Sequence, residues 1–289
     1  LSSNSSFPKL KAIIHVVGVG SLVTPKVLDL ARWMASYYCC PVETALKSVL
    51  PVAVRREKEG WKKQLHIRAL ESEGSLPKLT QRQASLYETL RQWKELPLQE
   101  FLKLTRSTAA TARKLEAAGV AVISSEVLER DPYAHEHILP SSALALNDEQ
   151  KEAHDSIVQA MGQVKPGKSP SVFVLHGVTG SGKTEVYLQA IDHALELGKG
   201  AIVLVPEISL TPQTVERFKA RFSTGRHATS VAVLHSHLSD GERHDEWHKI
   251  RERRARIVIG ARSAVFAPVE PLGLIIVDEE HEHSYKQEE

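Results

Sequence analysis

The sequence predicts an α/β protein in which a parallel sheet flanked by helices occupies the second half, preceded by smaller, mainly helical domains. Three observations predict this. After residue 170, short apolar runs alternate with helical patterns. A glycine-rich loop follows the first run, and an acidic tetrapeptide follows the last. Before residue 140, short helical patterns succeed one another. The 289 residues are enough for two or three domains.

Composition limits the class of protein. The chain is 42% hydrophobic and 25% charged, as expected for a soluble globular protein. Its net charge of +2 does not indicate a nucleic-acid partner, so any basic surface must be local. The only cysteines, Cys39 and Cys40, exclude a disulfide framework and predict that this chain contains no zinc ligands.

The chain shows no targeting or membrane signal. Its apolar runs are shorter than the ~20 residues that cross a bilayer, and its start lacks the pattern of a signal peptide. We therefore expect a cytoplasmic protein with no membrane partner. Because the first residue is Leu, we also expect a piece of a longer protein.

The first 70 residues predict a small domain followed by a charged stretch. An apolar run over 12–19 predicts a strand, Pro25 begins a helical pattern that reaches Tyr38, and 41–51 predicts a second helix between two prolines. Residues 54–68 contain six basic and two acidic side chains and predict a solvated face or linker.

Three short helices are predicted next. Thr80 is a candidate cap for the first, which extends through Trp93. The second runs over 97–104. Thr105 or Ser107 is expected to cap the third, which ends at Gly119.

Residues 120–133 then predict two short strands joined by a turn. Three helices followed by a β-ribbon are the order of a winged helix, whose third helix docks in a DNA groove. Arg113 and Lys114 on that helix are the candidate DNA contacts. A helical spacer with a hairpin explains the pattern equally well.

From residue 139 a linker leads into a predicted helix over 148–162. Beyond a turn at 164–170, short apolar strands alternate with helices, which indicates a parallel sheet covered on both faces. The predicted strands are 172–176, 201–205, 231–234, 256–260 and 273–277.

Residues 177–184 match the phosphate-binding pattern G-x-x-x-x-G-K-[ST]. Glycines allow successive backbone N–H groups to turn towards phosphate oxygens, and the following helix adds its positive end. Lys183 is expected to contact the β- and γ-phosphates, and Thr184 to ligate Mg²⁺. The predicted strand before the loop and the predicted helix over 185–197 favour this over a chance glycine-rich turn. The candidate nucleotide-binding residues of the loop are Gly177, Val178, Thr179, Gly180, Ser181, Gly182, Lys183 and Thr184.

A partner carboxylate is predicted at the end of the strand 273–277. Ligands bind at the carboxyl ends of strands in open α/β sheets. We expect Asp278 to hold Mg²⁺ and Glu279 to orient or deprotonate the attacking water. The tetrapeptide Asp278-Glu279-Glu280-His281 resembles the DEAD/DEAH-type motif of superfamily 2 helicases and translocases.

Most of the chain resembles the PriA family of primosomal helicases. The similar segments after residue 140 are "LNDEQ" (146–150), "HGVTGSGKTEVYLQAI" (176–191), "LVPEISLTPQ" (204–213), "LHS" (234–236), "IVIGARSAVFAP" (257–268) and "LIIVDEEHEHSYKQEE" (274–289). Residues 28–51 resemble the end of that family's domain for DNA 3′ ends. The resemblance also favours the winged helix.

The resemblance implies three domains and several residue roles. Residues 1–55 would be the C-terminal part of the 3′-end DNA-binding domain, 56–138 the winged helix with a linker, and 139–289 a RecA-like helicase lobe that stops after the DEEH motif. The implied roles are adenine reading for Gln150, DNA backbone contact for Ser209, Thr211 and Arg262, and coupling of nucleotide state to DNA for His281. Ala261 stands where a hydroxyl residue is usual, which removes one potential donor.

The resemblance further implies an ATP-dependent 3′→5′ DNA helicase, nucleoid-associated in bacteria, that acts on forked and single-stranded DNA with primosome and single-strand-binding proteins. The family's second lobe and zinc-binding insertion are not in these residues, so Zn²⁺ is expected only in the whole protein. We expect this chain alone to bind nucleotide weakly and not to unwind DNA. Two alternatives remain: a P-loop enzyme of another class, such as a small-molecule kinase or GTPase, and a DNA-binding module without catalysis.

Overall fold

The computed structural model describes residues 22–55, 62–70, 77, 79–128, 130, 138–163, 169–224 and 227–285. The chain divides into two compact units. The first unit comprises Leu1–Lys58, Ile138–Ser236 and Lys249–Glu289, and the second unit comprises Glu59–His137 and His237–His248.

Helices and strands are numbered separately along the chain. The helices are α1 (Pro25–Tyr37), α2 (Val42–Val49), α3 (Val52–Arg55), α4 (Gln81–Trp93), α5 (Leu98–Leu104), α6 (Ala109–Ala117), α7 (Asp148–Gly162), α8 (Lys183–Glu196), α9 (Pro212–Phe222) and α10 (Asp240–Arg251). The strands are β1 (Lys62–Ala69), β2 (Glu95–Pro97), β3 (Ala121–Leu128), β4 (Gly200–Leu204), β5 (Ser230–Leu234), β6 (Ala255–Gly260) and β7 (Leu272–Val277).

The two predicted N-terminal helices form as α1 and α2. The Thr24 hydroxyl accepts a hydrogen bond from the Val27 N–H at 3.3 Å, and Pro25 follows this cap as the first helical residue. The two helices contact each other through small buried side chains, namely Ala31, Ala35, Ala45 and Val49. The strand predicted at 12–19 lies outside the described residues.

The first unit contains a parallel sheet with strand order β5-β6-β4-β7. All five residues of β4 are buried, because β4 lies between two neighbouring strands and is covered on both faces. Ala201 and Val203 pack in one apolar cluster with residues of α8 and α9, and Ile202 and Leu204 pack in another. Four of the five predicted strands and the helix predicted over 148–162 are therefore confirmed.

The prediction of a strand at 172–176 is wrong for this structure. These residues form no ladder, and Val172 and Val174 are 87% and 86% exposed. Among the described residues β7 pairs only with β4, and Ile275 and Val277 on it are each 47% exposed. An apolar run indicates a preference for burial, but a strand also needs a paired backbone, which the run does not specify.

The second unit contains an antiparallel sheet in the order β2-β1-β3, with α4, α5 and α6 packed around a separate core. Ile67, Leu90 and Phe101 are fully buried there. Thr80 caps α4 in a reciprocal capping box with Gln83, which confirms the predicted start of the first helix.

The predicted caps of the third helix are wrong. The N-cap of α6 is Thr108, whose backbone is extended. The Thr105 hydroxyl instead donates to the Phe101 carbonyl at 2.6 Å and lies 2.7 Å from the Ser107 hydroxyl. Those side chains close the end of α5 and so do not cap α6. Gly119 follows α6 with a φ of 73°, which agrees with the predicted stop.

The predicted ribbon at 120–133 also requires correction. Its described part is a single strand, β3, whose antiparallel partner is β1, and β1 precedes all three helices. β1 lies within the charged stretch for which the sequence predicts a solvated face or linker. Ile67 is the one buried residue of β1, and Leu65 on the same face is 47% exposed, so the strand lacks the alternation that would have predicted it.

No helix within the described part of the chain is long and apolar enough to cross a membrane.

Candidate nucleotide-binding site

The glycine-rich loop leads directly into α8. Gly180 and Gly182 have φ values of 81° and 82°, in the left-handed region that favours glycine. A Cβ atom at Gly177 would lie 2.6 Å from the Ser181 hydroxyl, and one at Gly182 would collide with the Gln150 side-chain amide. The left-handed backbone at Gly180 and Gly182 therefore favours glycine, and a side chain at Gly177 or Gly182 would displace a neighbouring polar side chain from the loop.

Lys183, the first residue of α8, folds back over the loop. Its ammonium donates to the carbonyls of Gly177 at 2.6 Å and Val178 at 3.1 Å. It lies at the positive end of a 14-residue helix. The cation and the helix terminus together supply the charge and the donors that a polyphosphate requires.

A tyrosine hydroxyl connects Thr184 to the acidic motif. Tyr187 Oη lies 3.2 Å from Thr184 Oγ1 and 3.5 Å from Asp278 Oδ2. The structure thus brings both predicted Mg²⁺ ligands to the same hydroxyl, although they are distant in the chain. A hydroxyl and a carboxylate beside a phosphate cradle are suitable ligands for Mg²⁺ that carries a nucleotide.

The electrostatics of Asp278 follow from its position at the end of β7. Burial raises the pKa of Asp278, and the neighbouring Glu279 carboxylate raises it further, whereas the Lys183 ammonium lowers it. Its backbone is fixed on both sides: the Asp278 N–H donates to Leu204 O at 2.9 Å, and Tyr285 Oη donates to Asp278 O at 2.8 Å. A bound cation would relieve the repulsion between the two adjacent carboxylates.

The remaining acidic-motif residues turn towards solvent. Glu279 has a φ of 48°, a left-handed conformation that is uncommon for a non-glycine residue, although Cys39, Lys94, Arg106 and Arg253 also have a positive φ. Its carboxylate lies 3.5 Å from His281 Nε2, and the His281 side chain is 70% exposed. Glu280 is also exposed.

Gln150 lies against the loop. Its amide oxygen accepts from the Asn147 N–H at 2.9 Å in the capping box of α7, and its amide nitrogen donates to Ser181 O at 2.8 Å. Both ends of the amide are therefore engaged. Adenine recognition by Gln150 would require it to leave these partners.

The candidate DNA contacts of the first unit follow adjacent strands. Ser209 ends a short 3₁₀ turn after β4, and Thr211 caps α9 by accepting from the Thr214 N–H at 3.3 Å. Arg262 follows β6 and is exposed. Because β4 and β6 are parallel neighbours, these residues share the carboxyl edge of the sheet with Asp278.

The other two candidates, Arg113 and Lys114, lie in the second unit. Both are exposed on α6, whose Ala112 and Leu115 are buried in the core of that unit. This arrangement leaves the two cations accessible to a phosphate backbone.

Three residues near the site had no predicted role: Tyr187, Glu185 and Arg221. Tyr187 comes three residues after Thr184 on the same helix, so helical spacing alone places the two side chains on one face. The Arg221 guanidinium forms two hydrogen bonds with Glu185, but no pattern in the sequence connects these residues.

The described residues also contain one group of three metal-type side chains, on the sheet of the second unit. His66 Nδ1 lies 3.6 Å from Glu95 Oε1 and 3.8 Å from Glu126 Oε2. Both glutamates are exposed, and these distances are typical of surface ion pairs.

The fold and site place the second half of the chain in a known class. Residues 148–289 match the family model described as DEAD/DEAH box helicase, and residues 1–51 match the one described as 3'DNA-binding domain (3'BD). The parallel sheet with a P-loop and an acidic motif fits the RecA-like lobe of that class, which confirms this part of the predicted fold class.

Individual relatives define the family more closely. The replication restart protein PriA of Chlamydia trachomatis is 36% identical over 302 residues, covering 99% of this chain and 38% of the relative. PriA of Bacillus subtilis is 51% identical over 195 residues, covering 68% of this chain and 23% of the relative. PriA of Haemophilus influenzae is 35% identical over 285 residues, covering 97% of this chain and 38% of the relative. The chain belongs to the PriA family, and it spans less than two fifths of the length of these relatives.

Proposed function

We propose that the whole protein is an ATP-dependent 3′→5′ DNA helicase that acts in replication restart and primosome assembly at stalled forks. This chain supplies its ATP-binding lobe and part of its DNA-binding surface. The observation that carries the proposal is the meeting of Thr184 and Asp278 at the Tyr187 hydroxyl, beside the loop that Lys183 closes.

The chain's own residues account for nucleotide binding. The N–H groups of the loop and the Lys183 ammonium bind the phosphates, which displace the ammonium from the carbonyls it now contacts. Thr184 and Asp278 would hold Mg²⁺, and the ion would neutralise phosphate charge there. Glu279 orients the attacking water, and His281 beside it links the nucleotide to the DNA site.

DNA contact is assigned to two separate surfaces. In the first unit, Ser209, Thr211 and Arg262 contact the backbone of a single strand, with Thr211 contributing its main chain because its hydroxyl caps α9. In the second unit, which we propose is a winged helix, Arg113 and Lys114 contact a duplex or fork. Residues 1–55 would contribute to binding of a DNA 3′ end, for which the match to the 3'DNA-binding domain gives support.

The finer features of the whole protein rest on the family resemblance. We propose functional domains at 1–55, 56–138 and 139–289, partners among primosome and single-strand-binding proteins, a location at the bacterial nucleoid in the cytoplasm, and a Zn²⁺ site outside these residues. We expect these 289 residues alone to bind nucleotide and not to unwind DNA, because translocation requires two lobes that open and close around ATP.

The first test is binding and hydrolysis of Mg²⁺–ATP by this chain, with and without single-stranded DNA. We expect binding that Lys183→Ala abolishes, competition by ATP rather than GTP, and little turnover. Preference for GTP would favour a P-loop enzyme of another class. DNA binding without any nucleotide binding would favour a module without catalysis, and strong DNA-stimulated hydrolysis would contradict the need for a second lobe.

A further inference from the structure

We propose that Tyr187 is a positioning residue that holds the Asp278 carboxylate beside the Thr184 hydroxyl, so that the Mg²⁺ site is assembled before nucleotide binds. The proposal rests on the proposed function, because it assumes that these two groups bind Mg²⁺ together with ATP.

The Tyr187 ring is fixed independently of its hydroxyl. Tyr187 is 9% exposed and belongs to the core of the first unit. Its ring stacks on that of Phe218, with the ring centroids 6.2 Å apart and the planes inclined by 19°. Since packing holds the ring, the hydroxyl occupies a defined point between α8 and the end of β7.

That hydroxyl has one proton and two acceptors. Its distances of 3.2 Å to Thr184 Oγ1 and 3.5 Å to Asp278 Oδ2 both exceed the usual length of an O–H···O hydrogen bond. The charged Asp278 carboxylate is the stronger of the two acceptors, so the proton is directed to it before a cation binds as well as afterwards.

The backbone of Asp278 needs no such support. Leu204 O and Tyr285 Oη already fix its N–H and its carbonyl, at 2.9 and 2.8 Å. What remains variable is the direction of the carboxylate, and the Tyr187 hydroxyl restrains that direction. Removing a side chain that hydrogen-bonds to a metal ligand typically lowers the affinity of the site for the metal by about 10- to 100-fold.

The test compares nucleotide binding with and without metal. Binding of a fluorescent ATP analogue to the 289-residue chain is measured across a Mg²⁺ titration and again in EDTA. For Tyr187→Phe we expect about a tenfold rise in the Mg²⁺ concentration at half-maximal binding, with unchanged affinity in EDTA. Tyr187→Met also lacks the hydroxyl and should repeat the Mg²⁺ effect, with a lower Tm because the aromatic stack is lost.

The chain offers a matched control in Tyr87→Phe. Tyr87 is also buried, and its hydroxyl donates to Leu70 O at 2.9 Å within the second unit. This variant loses a buried hydroxyl that belongs to the other unit and contacts none of the candidate nucleotide-binding residues, so it should leave the Mg²⁺ requirement unchanged.

The outcomes separate this inference from the proposed function. If the unsubstituted chain shows no Mg²⁺-dependent binding that Lys183→Ala abolishes, both fail. If that binding is present but Tyr187→Phe leaves the Mg²⁺ requirement unchanged, only the inference fails. An equal loss of affinity with Mg²⁺ and in EDTA would also overturn it, since Tyr187 would then shape the loop rather than the metal site.

Discussion

The Arg221 guanidinium donates two hydrogen bonds to the Glu185 carboxylate, one to each oxygen, at 2.9 and 2.6 Å. Their side chains are 11% and 12% exposed. Glu185 comes two residues after Lys183, and Arg221 lies near the end of α9, which begins directly after the candidate DNA contact Thr211. This pair therefore connects the helix that begins at the candidate phosphate loop to the helix that follows the turn with the candidate DNA contacts.

Removing one partner of this pair should destabilise the first unit. Arg221→Ala leaves a carboxylate with little access to water, and we expect a loss of about 2 kcal/mol, between the values for exposed and for buried pairs. Urea unfolding, supported by amide hydrogen exchange in α8, measures this loss. The control is Lys47→Ala, because the Lys47–Glu43 pair is 58% and 78% exposed and should contribute nothing measurable. Equal effects of the two substitutions would contradict the structural role of Arg221.

The same pair predicts a pH dependence of stability. Burial raises the pKa of Glu185, but hydrogen bonds from Arg221, Gln189 and the Leu144 N–H outweigh it, and the net pKa lies below the ordinary value of 4.5. The unfolded chain then binds a proton more readily than the folded one. The contribution to stability is thus complete above the ordinary pKa and is lost as the pH falls through the lower folded value.

Glu185→Gln should remove this acid-dependent part. We expect unfolding free energies of parent and variant, measured from about pH 6 down to about pH 3.5, to differ most at the higher pH and to converge as the pH falls. A constant difference over that range would show that the Glu185 charge is not involved.

Local patterns predict much of the fold and site, whereas long-range pairing escapes them. The loop glycines, Lys183 and Thr184 occupy neighbouring positions, so a short motif specifies them. Asp278 is predictable because an apolar strand ends immediately before it. The contact of Arg221 with Glu185 is not predictable from the sequence, because it depends on how α8 and α9 pack. The strand β1 is missed because charged side chains surround its one buried residue, Ile67.

The close approach at Gly182 predicts a specific loss of nucleotide binding. A methyl group there would meet the Gln150 amide and would also have to adopt a φ of 82°. We expect Gly182→Ala to lower affinity for Mg²⁺–ATP by about tenfold, because alanine strains the left-handed backbone of the loop and displaces the Gln150 amide from Ser181 O. Gly198→Ala is the control: its φ is 71°, but no atom lies within 4 Å of the added carbon. It shares the backbone strain of about 1 kcal/mol and should bind normally.

A double substitution separates collision from strain. Gly182→Ala combined with Gln150→Ala removes the obstructing amide, so part of the lost affinity should return. If the double variant binds no better than Gly182→Ala, backbone strain alone accounts for the loss.

The exposed cations of α6 predict the salt dependence of DNA binding. Each phosphate contact releases counterions, so Arg113→Ala and Lys114→Ala should each reduce the slope of log affinity against log salt by about 1. The measurement is anisotropy of a labelled forked DNA at several salt concentrations. Arg91→Ala, which removes an exposed cation on α4, should leave the slope unchanged. Unchanged slopes for both α6 variants would exclude α6 as the DNA-facing helix.

The unpaired run at 172–175 gives the last prediction. Its amides have no ladder partner in the structure, and Val172 and Val174 are almost fully exposed, so these amides should exchange with solvent within seconds. Those of β4, which pairs on both sides and is completely buried, should exchange far more slowly. Hydrogen exchange followed by mass spectrometry distinguishes the two segments in one experiment.

Strong protection of 172–175 would mean that this run completes the sheet as a fifth strand, as its apolar pattern indicates. The run would then pair with the edge of β7 that β4 leaves open in the described part of the chain.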